Sequence, residues 1–263
     1  MNKMLTALMI SLISTTLMAQ APAEPLSVPA AGAPNKFATA RTETSYKNPY
    51  LRMFANYDFI MVNPSSLNDT RAKTLWGTTT ATRGQFSGLN GFSVGGSVLV
   101  GPGYLGAEYA FAVQELDDTQ IIPTTNKVHD SFDYQSVYAV YDLNYNISEN
   151  SSWEVGGGIG YAVTYQYHNV FDSSGTKEEV IWQANPILAK VRAAYNYHFS
   201  ENLRVRVGVG YEYATSDQLT ADSNHPTIGT GIISGQPLRN TSGGNQVVDM
   251  SGLRLSAGIV ITL

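Results

Sequence analysis

Beyond residue 49 the chain repeats one arrangement: about ten residues in which large apolar side chains alternate with small or polar ones, then a break, the period of a β-strand with two unlike faces. In the first segment Leu51, Met53, Ala55, Tyr57, Phe59 and Met61 share one face, and Arg52, Asn56 and Asp58 share the other with Phe54 and Ile60. Segments 92–100, 105–113 and 136–145 repeat the pattern. The longest run sets Trp153, Val155, Gly157, Ile159, Tyr161, Val163, Tyr165 and Tyr167 against Glu154, Gly156, Gly158, Gly160, Ala162, Thr164, Gln166 and His168. Segments 187–198, 203–213 and 253–263 complete the series.

Alternation by itself fits a soluble sandwich or barrel as well as a membrane barrel, so the chemistry of the polar face decides. A water-facing side would be rich in Lys and Glu. Here it is mostly Gly, Ser, Ala and Thr with a few charges, which suits the crowded inside of a narrow barrel. The apolar face is aromatic near its ends, with Tyr145, Trp153 and Tyr197 beside short breaks and Tyr165, Tyr167, Tyr211 and Tyr213 beside long ones, as two interfacial girdles require. The breaks alternate in length: 63–89 is long, 101–103 short, 115–130 long, 146–151 short, 169–178 longer, 199–202 short, and 215–247 long. Together these features predict an all-β fold: a transmembrane antiparallel up-and-down β-barrel of about eight strands, with long extracellular loops, short periplasmic turns and periplasmic termini.

Upstream of the repeats, Lys3 followed by an apolar stretch from Met4 to Met18 reads as a secretory signal peptide, too short for a spanning helix. Cleavage is expected after Ala19, because a cut after Ala21 places Pro22 directly behind it. The division is then a signal peptide at 1–19, a disordered periplasmic tether at 20–48 carrying Pro22, Pro25, Pro29 and Pro34, and the barrel at 49–263. Charged residues are only 14% of the chain, below the roughly 25% usual in soluble proteins. With 16 Lys+Arg against 21 Asp+Glu and no basic run, nucleic acid is not an expected partner. Absence of cysteine removes disulfides, thiolate metal sites and cysteine nucleophiles.

The eight segments, their alternating breaks, the run Gly156-Gly157-Gly158-Ile159-Gly160-Tyr161 and the closing stretch from Leu253 to Leu263 resemble the small outer-membrane β-barrel family of OmpA/OmpX type over residues 50–263. The resemblance implies a Gram-negative bacterial outer-membrane location, with outer-membrane lipids and lipopolysaccharide around the barrel and the barrel-assembly machinery as its folding partner. That machinery reads a last strand usually ending in Phe or Trp. This chain ends in Leu263, which keeps the lipid-facing register. No peptidoglycan-binding domain is expected after the barrel.

Inward positions collect Arg52, Lys190, Arg192, Arg204, Arg206 and Arg254 against Asp58, Glu108, Asp142, Glu154 and Glu212, two nearly balanced sets. They are expected to form a lumen charge network that fills the bore, with Lys190 opposite Glu212 and Arg254 near Asp58. The histidines His129, His168, His198 and His225 lack metal-ligand spacing, and the glycines at 156–160 lack a phosphate loop's Lys-Ser/Thr, so no cofactor, metal or catalytic residue is expected. His168 with Ser173 is the best available pair for a lipid-modifying enzyme, and it lacks an assignable acidic orienter. The loop acids Asp117, Asp118 and Asp222 are read as solvated. The expected role is structural or surface interaction, through envelope integrity or loop-mediated binding with 215–247 as the extracellular partner surface. The alternative is a porin-like narrow channel for small solutes.

Overall fold

The computed structural model describes residues 49–70, 84–121, 125–173, 176–216, 218–224, 232–240 and 242–263; the signal peptide and tether expected at 1–19 and 20–48 lie outside these residues. The alternating segments form strands β1 (Leu51–Val62), β2 (Gly88–Val100), β3 (Gly103–Ile121), β4 (Thr125–Ser148), β5 (Ser151–Ser173), β7 (Ile187–His198), β8 (Leu203–Tyr213) and β12 (Gly252–Thr262). Between them lie a short helix α1 (Ser65–Thr70) and the strands β6 (Thr176–Gln183), β9 (Thr215–Ser216), β10 (Thr220–Ala221) and β11 (Val248–Asp249).

Hydrogen bonding runs antiparallel from β1 through β2, β3, β4, β5, β7, β8 and β12, and β12 pairs back onto β1 from Arg52↔Thr262 to Val62↔Gly252. The path is ring-like, and no described helix is long and apolar enough to cross a membrane. Side chains of β1 alternate strictly between buried and more exposed positions. Buried positions carry Arg52, Phe54, Asn56, Asp58 and Ile60, and outward positions carry Met53, Tyr57 and Met61. Glycines on the inner face make room for large neighbours: a Cβ on Gly160 would stand 2.4 Å from the Tyr138 ring, and one on Gly95 would stand 2.5 Å from the Phe54 ring.

Two stretches expected to be breaks are strand. β3 and β4 stay paired from Gln114↔Phe132 out to Ile121↔Thr125, and β5 continues past residue 169 to pair with β6 through Ser173↔Thr176. The apolar alternation fades there because the outward face turns polar, with Glu115, Asp117, Asp133 and Gln166, while the backbone ladder persists. The chain then leaves β6 at Ala184–Pro186 and re-enters the ring as β7; Pro186 has no N–H to give, and its carbonyl accepts from the Ala162 amide at 3.1 Å.

The unbroken alternation expected across 153–168 is also corrected. Gln135 pairs with Thr164 and Ser136 with Ala162, so Val163 is an extra residue on β5. A β-bulge of this kind shifts the phase by one. Tyr165 and Tyr167, read from the sequence as outward girdle residues, are therefore fully buried. They join Phe86, Phe132, Tyr134 and Tyr138 in an aromatic layer inside the ring. The ring centroids of Phe132 and Tyr165 meet edge-on at 4.8 Å. Leu67 of α1 and Leu219, Leu238, Val248 and Met250 from the segments between β8 and β12 pack in the same cluster.

Candidate functional site

Below the aromatic layer, toward the short turns, the inward side of the ring is ionic. Residues of opposite sign come from different strands because inward positions recur every second residue, and long side chains then reach across the bore. Arg52 of β1 reaches across to β5 and β4. It donates to Glu154, to Asp142 Oδ2 at 2.9 Å and to Ser97 Oγ at 2.7 Å, and its guanidinium lies 3.8 Å from the centre of the Tyr104 ring. Arg192 of β7 grips Asp142 with Nε at 2.9 Å and Nη2 at 2.7 Å, a bidentate fork, and places Nη1 2.6 Å from Glu108 Oε2. Lys190 donates to the other Glu108 oxygen and sits 3.8 Å above the Tyr138 ring.

A second fork joins β12 to β1. Arg254 donates from Nε and Nη2 to Asp58 at 3.1 and 2.6 Å, and from Nη1 to Glu212. Glu212 also accepts the hydroxyls of Tyr134 and, at 2.9 Å, Tyr138. Arg206 Nη2 donates to Glu154 Oε2 at 2.8 Å. Arg204 differs. It is buried opposite His198, and among the described residues it makes no ion pair and its Nε and Nη1 have no hydrogen-bond partner. Ten of the sequence-derived inward charges thus meet in contiguous pairs, and Arg204 stands apart at the short-turn end.

Register and partner are different things here. Lys190 does stand opposite Glu212 across β7 and β8, yet its ammonium pairs with Glu108 on the far wall. Arg254 stands opposite Ile60 and reaches Asp58 two residues along. Sequence reasoning missed the tyrosines: Tyr134 and Tyr138 share the inward parity of Asp142 on β4, which was the available signal.

The other candidates, as far as they fall among the described residues, are engaged as follows. His168 lies on the outward face beyond the apolar band, with Nε2 3.1 Å from Asp133 and Nδ1 3.0 Å from Glu179. The hydrogen bond to Asp133 is the main cause that pushes its pKa up, to about 9, against an opposing burial effect and with help from Glu179. With both nitrogens engaged by carboxylates, the ring at neutral pH has no lone pair to act as a base. Its backbone partner across the ladder is Ser131, and the side chain of Ser173 lies outside the described residues. His129 pairs with exposed Asp117 at 2.7 Å and His198 with Ser152 at 3.1 Å; His225 is outside the described residues. Asp222 accepts from the Ser223 hydroxyl at 2.8 Å, and the Asp118 side chain is outside the described set. Among the described residues no group of three His, Cys, Asp or Glu is arranged to hold a metal.

No family model matches the sequence, and no curated protein matches it significantly. Among solved structures, the Neisserial surface protein A (NspA) is similar at 13% identity, covering 81% of this chain and 97% of that one, with a TM-score of 0.40. Ail, the attachment invasion locus protein of Yersinia pestis, shares 12% identity over 81% of this chain and 99% of its own, TM-score 0.34. The outer membrane protease OmpT of Escherichia coli shares 8% over 82% and 97%, TM-score 0.41. At these values the architecture rests on the chain's own strand pairings.

Proposed function

We propose that this chain is an outer-membrane β-barrel protein of the small, OmpA/OmpX-like kind, with eight membrane-spanning strands, a filled lumen and a non-enzymatic role in envelope integrity or loop-mediated binding. One observation carries the reading: the outward face of the ring is an unbroken apolar band. Ile159, Ile187 and Val191 expose 69, 70 and 64% of their surfaces, and the band continues through Val155, Val207, Val209, Leu255, Ile259, Leu105 and Val94. In water so large an apolar surface would drive aggregation. Strands β8 and β12 are 11 residues each, in keeping with the roughly 9–11 residues that a tilted strand uses to cross hydrocarbon. Exposed Tyr145, Trp153, Tyr197 and Phe199 edge the band beside the short turns, and exposed Tyr57, Phe92, Tyr161, Tyr211 and Tyr213 edge it on the other side, where the outward face then becomes polar.

The termini, in this reading, are periplasmic, the signal peptide directs export, and the barrel-assembly machinery inserts the chain among outer-membrane lipids and lipopolysaccharide. The ion-pair network and the aromatic layer above it support a closed bore over the narrow-channel alternative. The segments between β8 and β12 are tied down from below by Leu219, Leu238 and Met250 and linked to α1 by the Gln246–Ser66 hydrogen bond at 2.8 Å, which supports a formed binding platform.

The chain lacks native cysteine, so Val207→Cys and Ile259→Cys each give one reporter. A bilayer-soluble maleimide is expected to label both, a water-borne one neither, and the purified protein is expected to migrate faster on a gel before heating than after. Labelling only from water would reject the membrane assignment. Stable conductance steps in planar bilayers would favour the channel.

A further inference from the structure

The polar atoms that the ionic layer leaves over are not scattered. Among the described residues, Asn56 Oδ1, the Tyr104 hydroxyl, both polar atoms of the Asn196 amide, Arg204 Nε and Nη1, and Arg206 Nη1 are buried without a hydrogen-bond partner. Strand register lines most of them up on one wall. Asn196, Arg206, Gly258 and Asn56 stand in one row across β7, β8, β12 and β1, and Arg204 faces inward one row nearer the short turns, between His198 and Val260. Tyr104 belongs to β3, across the ring from β8. The row above is made of small side chains, Ala194, Gly208 and Ser256 beside Asp58. A small cavity with room for about one water opens there, with Arg206 and Asn56 below it and Lys190, Arg192 and Arg254 above. On the loop side of the ionic layer, Trp182 Nε1 is the single described side-chain atom in the same condition.

Buried polar groups are nearly always satisfied in folded proteins, by ordered water where the chain supplies no partner. We propose that a file of water enters this wall from the short-turn end, runs from Arg204 and Asn196 past Arg206 to the cavity, and stops beneath the aromatic layer, so that the bore is a half-channel open on the periplasmic side. Water suits each station. Arg204 offers two donors and Asn196 a donor and an acceptor, and the cavity lies between one free donor, Arg206 Nη1, and one free acceptor, Asn56 Oδ1, which a single molecule can bridge. The cations around the cavity already have carboxylate partners, so a neutral ligand completes it. Higher up the polar atoms are spent: the Tyr134 and Tyr138 hydroxyls go to Glu212, and that of Tyr165 to the Ala214 and Val248 carbonyls. The aromatic layer and the loop segments above it then form the whole seal between the two compartments. The word periplasmic rests on the barrel orientation proposed above; the path itself rests on the ring.

The test uses the full chain refolded in detergent, with arginine labelled by nitrogen-15. Arg204 Nε is free, whereas Nε of Arg192 is given to Asp142 and Nε of Arg254 to Asp58. The Arg204 Nε–H should exchange with water at least about a hundredfold faster than the other two. Crystals of the same protein, at a resolution that places water, should show one molecule bridging Arg206 Nη1 and Asn56 Oδ1 and others on Asn196 and Arg204. Equal protection of the three Nε–H groups, or a dry cavity, overturns the proposal, and so does a cavity water with none on Asn196 and Arg204. Should the refolded protein lack heat-dependent migration on a gel, the barrel reading fails instead, and the two failures are told apart on one sample.

Discussion

Glu212→Ala tests how much of the fold depends on the buried network. Glu212 is fully buried and accepts three hydrogen bonds, from Arg254, Tyr134 and Tyr138. Its removal leaves two buried phenol groups without acceptors, each costing about 1–3 kcal/mol. Arg254 is not stranded, because the fork to Asp58 at 3.1 and 2.6 Å survives. The expected loss is therefore near the lower part of the roughly 3–5 kcal/mol seen when a buried pair is broken on one side. For a domain of this size about 1 kcal/mol shifts a midpoint by roughly 2–4 °C, so the folded band in a gel should be lost about 10 °C earlier than in the parent chain. Heating times must be matched, since the midpoint depends on rate wherever heat unfolding is irreversible.

Glu212→Gln separates the two contributions. The amide oxygen still accepts from the tyrosines while the charge facing Arg254 is gone, so roughly half of the loss should return. Combined with Arg254→Met, Glu212→Ala should cost less than the sum of the singles by about 1–3 kcal/mol, the coupling of groups in direct contact. A midpoint within about 2 °C of the parent for Glu212→Ala would refute the network as a source of stability, whatever the distances.

Other substitutions probe different physics. Arg204→Leu removes a buried guanidinium that, among the described residues, has no ion pair and two unpartnered nitrogens, and it should be neutral or stabilising by about 1 kcal/mol in the same gel assay. Gly258→Ala places a Cβ 2.1 Å from the Ala55 carbonyl oxygen across the β1–β12 seam and should abolish heat-modifiable migration, whereas Gly235→Ala, with open space around it but φ of +81°, should cost only about 1 kcal/mol. His168, raised from its ordinary 6.5 to about 9 chiefly by Asp133, adds stability that is complete below about pH 6.5 and fades as pH climbs to about 9. Midpoints measured from pH 6 to 9.5 should fall over that window in the parent and stay flatter in His168→Gln; parallel curves would remove His168 as the cause.

The ring was legible in the sequence wherever one strand face meets a different medium from the other. Val205, Val207 and Val209 opposite Arg204, Arg206 and Gly208 cannot be satisfied by one solvent on both sides. Legibility ended where that difference ended. Beyond Val113 the outward residues Glu115 and Asp117 are as polar as a loop, although the β3–β4 ladder continues. The Val163 bulge was hidden for another reason: Tyr165 and Tyr167 read as apolar on either phase, and only the pairing of Gln135 with Thr164 fixes which way they point. Inward charges were readable one by one, but their partners depend on side-chain reach across the bore, so Lys190 meets Glu108 and not its neighbour Glu212.

The two interior layers constrain function differently. An ion-pair ladder alone is compatible with a gate, since Arg192 can in principle exchange between Glu108 and Asp142, which it already bridges at 2.6 and 2.7 Å. The aromatic layer has no such alternative. Phe132, Tyr134, Tyr165 and Tyr167 are fully buried; Phe132 meets Tyr165 edge-on, Tyr167 meets Phe86 edge-on, Tyr134 lies tilted against Tyr165, and the Tyr165 hydroxyl donates to the Ala214 and Val248 carbonyls at 2.8 and 3.1 Å from the loop side. The carboxylates at this level, Asp130 and Glu212, are already engaged by Tyr167 and by Tyr134, so an ion crossing the layer would lose water at a cost of several kcal/mol to groups that are not free to replace it. In the proposed barrel, opening the bore would require lifting the loop segments that Leu219, Leu238 and Met250 anchor, which would tie any conduction to events at the loops. A partner binding there and clamping the segments down would seal the barrel further, so binding and conduction would compete for the same structural element.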